Sequence, residues 1–478
     1  MIYYLKRIKN LQEENTLRKI IVLFAVMFLL ALSSCTGIGS GTQTPEPEEC
    51  LCENTSWVFP EGTKCLQTAL AELKCSECGK VLETKEQKKQ HNKVTEEKEA
   101  TCVENGYYRD YCTDCTYDYK IDYPATGEHE LRYEIISKAT DKRYGLKQRQ
   151  CATCDFGGDL IKYVNNGYSD HGKLSVVGPD LVDENGEKFQ LIGISTHGLQ
   201  WFGQYVNFTT IDALHNEFVI NVLRLSLYTS EGGYCESEGT RKENLYQTVC
   251  EGIRIATELD MYVIVDWHMV GAEDPNDKNP LYYKDEAIEF FGRITAEFKD
   301  YNNILYEIMN EPCGETTWEH CRTYANQVIP VIRQNTDAIV LVGNPHWSAN
   351  LNAVMQKPLT GYENIMYTYH FYAADHSQTY QVQNAYDKGF PVFISEHGGM
   401  NSAGDGEMNI SHLENWYRIL DARNISYVAW NLSNSKGSAS ILKHGTPEMD
   451  NFSDEVLKEW GVWYKAWVRK KFNFPGQK

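Results

Sequence analysis

The sequence has no excess of basic residues, since 46 Lys and Arg face 66 Asp and Glu and the formal net charge is -20. A polyanion would be repelled by that charge, which argues against nucleic acid as a partner but leaves neutral polymers open. The N-terminus also lacks a membrane-length apolar run, because residues 20–32 fall short of the roughly 20 residues that span a bilayer. With 478 residues, 42% of them hydrophobic, the composition is that of a globular protein with more than one domain.

The short N-terminal apolar run has the features of an export signal. Two basic residues precede it, and it ends in Leu-Ser-Ser-Cys35. This ending resembles the bacterial lipobox, in which cleavage leaves the cysteine as the lipidated first residue; an ordinary secretory signal with an incidental cysteine is the alternative. Because Thr36 and not Asp follows, the resemblance favours anchoring in the outer membrane or at the cell surface. We predict a lipoprotein signal over residues 1–34 and a flexible tether over 35–49.

Cysteine is concentrated in one segment, with 11 of the 15 cysteines between Cys35 and Cys154. Cys-x-x-Cys pairs recur there at intervals of 37 and 39 positions, which indicates internal repeats. The segment 50–171 has few aliphatic residues and many charges, so we predict a cysteine-rich repeat region with a small, cross-linked core. A spacer or stalk is the favoured role for this region, and a binding module is the alternative.

Each of the first two repeats carries a histidine after its cysteines. The pattern Cys-x9-Cys-x2-Cys-x12-His of the first repeat, which the second closely follows, is a plausible tetrahedral zinc set. Export favours disulfides instead, so zinc and disulfides both stay open. The candidate structural zinc sets are Cys65, Cys75, Cys78 and His91 in the first repeat and Cys102, Cys112, Cys115 and His129 in the second.

From about residue 172 short apolar segments alternate with amphipathic ones. Eight such pairs between residues 172 and 478 predict an α/β fold, a (β/α)8 TIM barrel, in which chemistry sits at the C-terminal ends of the strands. The predicted strands are Gln190–Ser195, Val219–Leu225, Tyr262–Asp266, Ile304–Met309, Ile339–Val342, Ile365–Tyr369, Val392–Ser395 and Tyr427–Ala429. Predicted helices include Asn244–Glu258, Lys284–Phe298, Trp318–Gln334, Ser411–Arg423 and Asp454–Phe472.

Two of the predicted strands end on a glutamate. The strand from Ile304 runs into Asn310-Glu311-Pro312, where Pro312 cannot donate to a sheet ladder and must stop the strand. The strand before Glu396 ends in the same way, and glycines then let the chain turn. Either glutamate alone could equally be a solvated strand-end residue. Two carboxylates at strand ends of one barrel are what glycoside hydrolysis requires.

The other strand ends carry polar and aromatic motifs in a fixed order. The eight strand-end motifs are His197-Gly-Leu-Gln-Trp201, Arg224 with Tyr228, Asp266-Trp-His268, Asn310-Glu311, Asn344-Pro-His-Trp347, Tyr369-His-Phe-Tyr372, Glu396 and Trp430-Asn-Leu-Ser433. In that order all eight resemble glycoside hydrolase family 5, specifically its bacterial endo-β-1,4-glucanases, over residues 172 to about 472. The resemblance implies a retaining endo-β-1,4-glucanase that acts on cellulose or related β-glucans and needs no metal or organic cofactor for catalysis.

The resemblance also implies a role for each catalytic candidate. Glu311 is similar to the general acid/base, and Glu396 is similar to the nucleophile that forms a glycosyl-enzyme. Arg224 would keep Glu396 ionised, because a nearby cation favours the charged carboxylate, although a purely structural ion pair is its alternative. Glu311, expected near fewer cations, would stay protonated and act as the acid.

Three further residues would support these carboxylates. Asn310 would hold the sugar 2-hydroxyl, a contact that strengthens in the transition state. Tyr372 would hydrogen-bond the nucleophile. His370 is two positions earlier on the same strand and so would face the same side.

Seven residues are predicted to bind substrate. Trp201, Trp347 and Trp430 would present aromatic faces to sugar rings, whereas Trp267 would point away from the site and pack in the core. Lys436 stands one position after Ser435, where the family commonly has a lysine, so either the loop adjusts and Lys436 reaches a sugar hydroxyl or that contact is lost. The complete predicted set is His197, Trp201, Tyr228, His268, Trp347, Trp430 and Lys436.

Two other functions fit the same scaffold. A mannanase or xylanase would need a different pocket around the sugar 2-hydroxyl, which the loop sequences do not specify. A surface glycan-binding protein would carry a decayed barrel, but both glutamates and their supporting residues are present. The sequence therefore favours an enzyme over a binding protein.

Overall fold

The computed structural model describes residues 50–129, 131–140, 144–271, 275–447 and 449–471. The predicted signal peptide, the tether and the lipidation candidate Cys35 lie outside the described residues. The chain divides after Gly127 into two compact units. Within the described residues, no helix is both long and apolar enough to cross a membrane.

The first unit contains two three-stranded antiparallel sheets, and in each a Cys-x-x-Cys turn joins the second strand to the third. Among its described residues, the buried apolar side chains are Ala71 and three cysteines. This agrees with the predicted small core, which by itself gives the sheets little stability. The strands are β1 Thr55–Val58, β2 Thr68–Cys75, β3 Val81–Lys88, β4 Lys93–Lys98, β5 Gly106–Cys112 and β6 Asp118–Tyr123.

The third repeat belongs to the second unit and packs against the barrel. Its sheet consists of β7 Leu131–Ser137, β8 Gly145–Cys151 and β9 Gly157–Tyr163. Tyr133 donates its hydroxyl to Asp212 Oδ1 at 2.5 Å, and Arg149 forms an ion pair with the same carboxylate. Asp212 is fully buried. The sequence-based boundary at residue 172 therefore falls inside the second unit, whose first sheet contacts a barrel helix.

Replacing Arg149 with Met is expected to lower the free energy of unfolding by about 2–3 kcal/mol, because Asp212 would keep a buried charge without its cation. Urea unfolding measures the loss. Adding Asp212→Asn to that variant should recover most of it, since the uncompensated charge is then gone. Lys162→Met, at an exposed cation of the same sheet, serves as the control, and an equal loss there would contradict the assignment.

The rest of the second unit is a closed barrel of eight parallel strands, as predicted. A short hairpin of β10 Ser175–Val177 and β11 Asp180–Val182 precedes it. The last strand pairs with the first, from Ile192 alongside Tyr427 onward. The barrel strands are β12 Ile192–Thr196, β13 Val222–Tyr228, β14 Tyr262–His268, β15 Ile304–Glu307, β16 Val340–Val342, β17 Ile365–Tyr372, β18 Val392–Gly398 and β19 Tyr427–Leu432.

Helices alternate with these strands, and the five predicted helices are all present with shifted ends. One is fixed at its start by a capping box, in which Thr317 and His320 satisfy each other's backbone N–H groups. The described helices are Tyr168–His171, Leu199–Phe202, Phe208–Phe218, Gly239–Glu258, Lys284–Glu297, Trp318–Ile332, Pro345–Ser348, Leu351–Gln356, Tyr380–Asp387, Ile410–Asp421 and Glu459–Lys471, with 3-10 turns at Gly203–Tyr205 and Pro275–Lys278.

The strand before Glu311 is shorter than predicted. It ends at Glu307, two residues before the predicted end, where its pairing with the short neighbour β16 stops after Tyr306 and Glu307. The chain then leaves the ladder ahead of Pro312. Ser348 Oγ donates to the carbonyl of Asn310 at 2.5 Å and holds the segment in place of a strand partner.

The barrel interior changes from apolar to polar along the strands. Its N-terminal end is filled by an apolar cluster that includes Val222, Tyr262 and Leu305. Because side chains alternate along a strand, the next inward residues are two positions later, and on β13 and β15 these are Arg224 and Glu307. Both are fully buried. The polar site therefore rests on an apolar floor at the C-terminal end of the barrel.

Candidate active site

Arg224 lies at the centre of the site and contacts three carboxylates. Its guanidinium donates to Glu307 Oε2 at 2.7 Å and to Glu396 Oε2 at 3.2 Å, and it forms an ion pair with Asp266 at 3.0 Å. A fourth contact, at 2.7 Å, goes to Asn310 Oδ1. Burial by itself would lower the pKa of Arg224, but the three carboxylates raise it further above its ordinary value. The planar, multi-donor guanidinium suits such a convergent set of acceptors.

Glu396 is held at both of its oxygens. Tyr372 donates its hydroxyl to Oε1 at 2.7 Å, and Arg224 donates to Oε2. Only 5% of the residue is exposed. The predicted contacts of Tyr372 and Arg224 with this carboxylate are thus present, and they fix its orientation.

Glu311 is paired with a histidine. His370 Nδ1 lies 2.9 Å from Glu311 Oε1, and His370 Nε2 lies 2.9 Å from Ser395 Oγ. Ser395 in turn donates to Glu307 Oε1 at 2.6 Å. Burial would lower the pKa of His370, but its contacts with Glu307 and Glu311 outweigh that effect and raise it to about 9. Glu311 thus adjoins one cationic ring, whereas Glu396 contacts Arg224 and also lies within 4.8 Å of His370, which agrees with the expectation that Glu311 lies near fewer cations.

The two candidate catalytic carboxylates approach each other closely. One oxygen of Glu311, one of Glu396 and a ring nitrogen of His370 all lie within 4.8 Å of one another. Carboxyl groups about 5–5.5 Å apart suit direct nucleophilic attack, whereas a separation of about 6.5–9.5 Å leaves room for a water. The geometry fits the retaining arrangement.

The raised pKa of His370 makes the stability of the protein depend on pH in a specific way. Below pH 6.5, the ordinary pKa of histidine, the free energy of unfolding of the wild type should exceed that of His370→Asn by up to about 3 kcal/mol. This difference should be lost as the pH rises through about 9. Urea unfolding of both proteins at about pH 6 and about pH 9.5 measures it. A difference that stays constant across this range would show that His370 is neutral in the folded state.

Beside the carboxylates stands a wall of stacked rings. His268 is sandwiched between Tyr228, with ring centroids 4.2 Å apart, and Trp430, with centroids 5.1 Å apart. His197 adjoins both of those flanking rings, and Trp201 meets Tyr228 edge-on. Five of the seven predicted binding residues are therefore brought together.

His268 itself is buried, with 2% of its surface exposed. Burial and the nearby Arg224 lower its pKa to about 3, so the ring is neutral. Its Nδ1 lies 2.6 Å from Asp266, and its Nε2 faces the Asn310 amide nitrogen at 3.3 Å. His268 thus supports Trp430 and orients Asn310, and its place at a sugar subsite stays a prediction.

Trp347 stands on an unusual backbone turn next to the Glu311 loop. Residues 346–348 all have positive φ, at 62°, 55° and 55°, a conformation that costs non-glycine residues about 1–3 kcal/mol each. The Trp347 amide donates to the carbonyl of Pro312 at 3.0 Å, and 53% of the residue is exposed. The turn therefore presents an indole to solvent beside the loop that carries Glu311.

The remaining predictions on this face have mixed outcomes. Trp267 is 1% exposed and packs in the core, as expected. Lys436 is exposed, and its loop is held from behind by Lys458, whose Nζ donates to the carbonyls of Ser435 at 2.7 Å and Gly437 at 2.5 Å. Lys458 was missed in the sequence, because it lies more than 20 positions away from the loop that it fixes.

Substituting Trp347 with Ala should raise KM for a polymeric substrate about tenfold with little change in kcat, as the loss of one aromatic contact of about 1.4 kcal/mol would do. Steady-state kinetics measures both constants. The matched control is the buried Trp267→Ala, which should instead lower the free energy of unfolding by about 3–5 kcal/mol. A Trp347→Ala enzyme with unchanged KM would remove Trp347 from the binding surface.

Comparison with known families agrees with this geometry. Residues 182–436 match the family model described as cellulase (glycosyl hydrolase family 5). The chain belongs to glycosyl hydrolase family 5. Its barrel is therefore that of a glycoside hydrolase, and the resemblance that the strand-end motifs carry is confirmed.

Curated relatives in this family share the barrel region. Endoglucanase A of Butyrivibrio fibrisolvens is 43% identical over 297 residues, which is 61% of this chain and 68% of that protein. The endoglucanase of Clostridium saccharobutylicum is 37% identical over 298 residues, or 62% of this chain and 64% of that protein. The match thus spans about two thirds of each relative's length.

Solved cellulase structures also resemble this chain. The cellulase Cel5C_n is 35% identical, with a TM-score of 0.60, and the match covers 64% of this chain and 95% of that one. The catalytic domain of Thermobifida fusca endoglucanase Cel5A, solved in complex with cellotetraose, is 34% identical with a TM-score of 0.59 and coverages of 63% and 99%. Each match thus covers nearly all of the neighbour's own chain and less than two thirds of this one.

Three residues of the family 5 site escaped the sequence analysis as site members. Asp266, Glu307 and Ser395 are fully buried and join Arg224 or His370. A signal for Glu307 was present: a carboxylate in an apolar strand, on the inward face two positions after Leu305, must find a partner. We infer that these residues position Arg224 and His370.

Proposed function

We propose that the protein is an endo-β-1,4-glucanase that hydrolyses cellulose or related β-glucans with retention of the β configuration. The observation that carries this is the approach of Glu311 and Glu396 to within 4.8 Å at the mouth of a family 5 barrel. The β-1,4-glucan substrate and the internal site of cleavage are supported by the endoglucanase names of the relatives and by the cellotetraose bound to a neighbour.

In the first step Glu396 attacks the anomeric carbon and the glycosidic bond breaks. Glu311 gives its proton to the departing oxygen, so a neutral alcohol leaves and a glycosyl-enzyme ester remains on Glu396. Arg224 and Tyr372 hold the attacking carboxylate in a fixed orientation. Their two contacts reduce the reorganisation needed to reach the transition state.

In the second step a water molecule enters the place of the sugar chain that left in the first step. Glu311, now a carboxylate, takes one proton from the water as its oxygen attacks the anomeric carbon, and the ester bond to Glu396 breaks. Glu311 ends protonated and Glu396 ends ionised, as at the start. His370, protonated and 2.9 Å away, stabilises Glu311 while it is charged between the two steps.

The substrate class is tested by reducing-sugar release from carboxymethylcellulose, mannan and xylan in parallel. Release from carboxymethylcellulose with a rapid fall in viscosity is expected, since internal cleavage shortens chains before it frees many ends. Preferential release from mannan or xylan would favour the alternative enzymes on this scaffold. Binding to all three without release would instead support a glycan-binding protein.

We also propose that the protein is an exported lipoprotein anchored through Cys35 in the outer membrane or at the cell surface. The support is the sequence Leu-Ser-Ser-Cys35 after a short apolar run. Cys35→Ala should leave the membrane fraction and appear in soluble form, whereas Thr36→Ala, at the next position, should stay with the membrane. Retention of the Cys35→Ala protein in the membrane would overturn the anchor.

A further inference from the structure

Four cysteine thiols converge at the start of the first unit. Cys50 Sγ lies 3.5 Å from Cys75 Sγ and 3.9 Å from Cys52 Sγ, and Cys52 Sγ lies 3.6 Å from Cys78 Sγ. All four sulfurs lie within 4.8 Å of one another. We call this set, Cys50, Cys52, Cys75 and Cys78, the four-cysteine cluster.

A second set converges between the two sheets of the same unit. Cys65 Sγ lies 3.6 Å from Cys112 Sγ, and Cys115 Sγ lies 3.3 Å from His91 Nδ1. These four ligand atoms also lie within 4.8 Å of one another. We call this set, Cys65, His91, Cys112 and Cys115, the shared cluster, because its members come from two repeats.

The sulfur spacings fit a tetrahedral metal rather than covalent pairing. Zinc with Zn–S bonds of about 2.3 Å places its sulfur ligands about 3.8 Å apart, whereas bonded sulfurs lie about 2.05 Å apart. The neighbouring sulfurs of both clusters lie 3.5–3.9 Å apart. The shared cluster adds a second argument, since disulfides would leave one of its three thiols over and give no role to the imidazole aimed at Cys115.

The clusters differ from the ligand sets expected from the sequence, and strand length explains why. Cys65 precedes β2 and Cys75 ends it, and eight residues of extended strand hold the two about 25 Å apart. They cannot bind one ion. The set Cys65, Cys75, Cys78 and His91 is therefore wrong, as is the set that joins Cys102 and His129 to Cys112 and Cys115, whose partners are Cys65 and His91.

We propose that the two clusters each bind one structural Zn²⁺ ion and that the ion in the shared cluster cross-links the first sheet to the second. Its Cys65 lies in the loop before β2 and its His91 follows β3, while Cys112 and Cys115 form the turn between β5 and β6. The ion in the four-cysteine cluster fastens the segment before β1 to the turn between β2 and β3.

Contacts around the ligands support these sites. The backbone N–H of Asp114 donates to Cys112 Sγ at 3.4 Å, a bond that favours a thiolate. The ring of His91 stacks on Tyr117 with centroids 4.6 Å apart, which fixes Nδ1 toward Cys115. With almost no apolar core among its described residues, this unit is of the kind that metal binding commonly stabilises.

The arrangement recurs in the second unit, as the sequence repeat requires. There His129 Nδ1 lies 3.3 Å from Cys154 Sγ, and the His129 ring stacks on Phe156 with centroids 4.2 Å apart. Histidine, thiol and supporting aromatic ring are thus repeated as a set. A local accident of side-chain packing would not reproduce all three.

The test is the zinc content of the full chain recovered after export, compared among double variants. Cys65→Ser with Cys115→Ser should remove one zinc per chain, because both belong to the shared cluster. Cys65→Ser with Cys75→Ser should remove two. Ligand sets confined to single repeats would give the reverse, and either the reverse result or unchanged zinc in both variants would overturn the proposal. Cys235→Ser, at a partly exposed barrel thiol, should leave the zinc content unchanged.

A single ligand exchange separates metal binding from misfolding. His91→Ala should lose one zinc and raise amide hydrogen exchange in β2 and β5 alike, since both flank the shared cluster. His91→Cys should keep the zinc and the protection, because four thiolates also bind it. Equal zinc loss in both variants, or cysteine pairs oxidised in the zinc-free wild type by mass spectrometry, would show that the clusters are not zinc sites.

Discussion

Glu396→Ala should retain no more than about 10⁻⁵ of the wild-type kcat/KM, as removal of an enzymic nucleophile typically gives. The loss follows because Glu396 alone is placed to form the ester, with both of its oxygens already oriented by Tyr372 and Arg224. Steady-state rates on an activated aryl cellobioside measure it. Glu407→Ala, at an exposed glutamate after the same strand, should keep full activity.

Adding azide to the Glu396→Ala enzyme tests from which face of the sugar the missing carboxylate attacks. Azide can enter the space left by the carboxylate and attack from the same face, so cleavage should resume with an α-glycosyl azide as product. Glu311→Ala should instead glycosylate slowly on substrates with good leaving groups, and azide should there give the β-glycosyl azide. An exchange of the two products would mean that the roles of Glu311 and Glu396 are reversed.

Arg224→Lys should lower kcat/KM about 10²–10³-fold, because one ammonium cannot replace the guanidinium that joins Glu307, Glu396 and Asn310. Arg224→Met should go further and cost about 3–5 kcal/mol of stability, since it leaves three buried carboxylates without their cation. Urea unfolding and kinetics on the soluble fraction measure the two effects separately.

The pH dependence of the Arg224→Met deficit follows from the carboxylates. In the wild type, burial tends to raise the pKa of Glu307, but Arg224 and His370 outweigh that effect and lower the pKa to about 2. A carboxylate whose pKa is lowered in the folded state stabilises the fold above pH 4.5, its ordinary pKa. This stabilisation is lost as the pH falls through about 2. The deficit should therefore be largest above pH 4.5 and shrink in acid. A deficit that grows on acidification would contradict an ionised Glu307.

The barrel and its two glutamates were predictable because they rest on local rules. Apolar segments of strand length, each ending in polar residues, identify the strands, and a proline or glycine pair after each glutamate locates the strand ends. Where a partner strand sets the limit, the rule fails: β15 ends at Glu307, where its pairing with β16 stops at Leu341. Strand ends thus depend on neighbours that the local sequence does not contain.

The supporting residues were less accessible for the same reason. Glu307 and Ser395 sit inside apolar strands and acquire a role only through His370 and Arg224, which come from other strands. The cysteine clusters show the same limit, because residues that are close in the sequence are held apart in the fold. Regular spacing suggested ligand sets within a repeat, but the length of β2 separates those residues, and the groups that meet come from successive repeats. The sequence spacing thus identifies cysteines and histidines as ligands but does not show which of them bind the same ion.

The central claim is that Glu396 attacks the anomeric carbon directly, with Glu311 as acid/base less than 5 Å away. Two inversions at one carbon restore its configuration, so the sugar released from the glycosyl-enzyme must first carry the β configuration at its new reducing end. Proton NMR of a fresh cello-oligosaccharide hydrolysate, recorded before mutarotation, measures the anomer directly. The account predicts that the β-anomer signal appears first and the α-anomer follows slowly in solution. An α-anomer that appears first would show that water attacks without a glycosyl-enzyme and would contradict the assignment of Glu396.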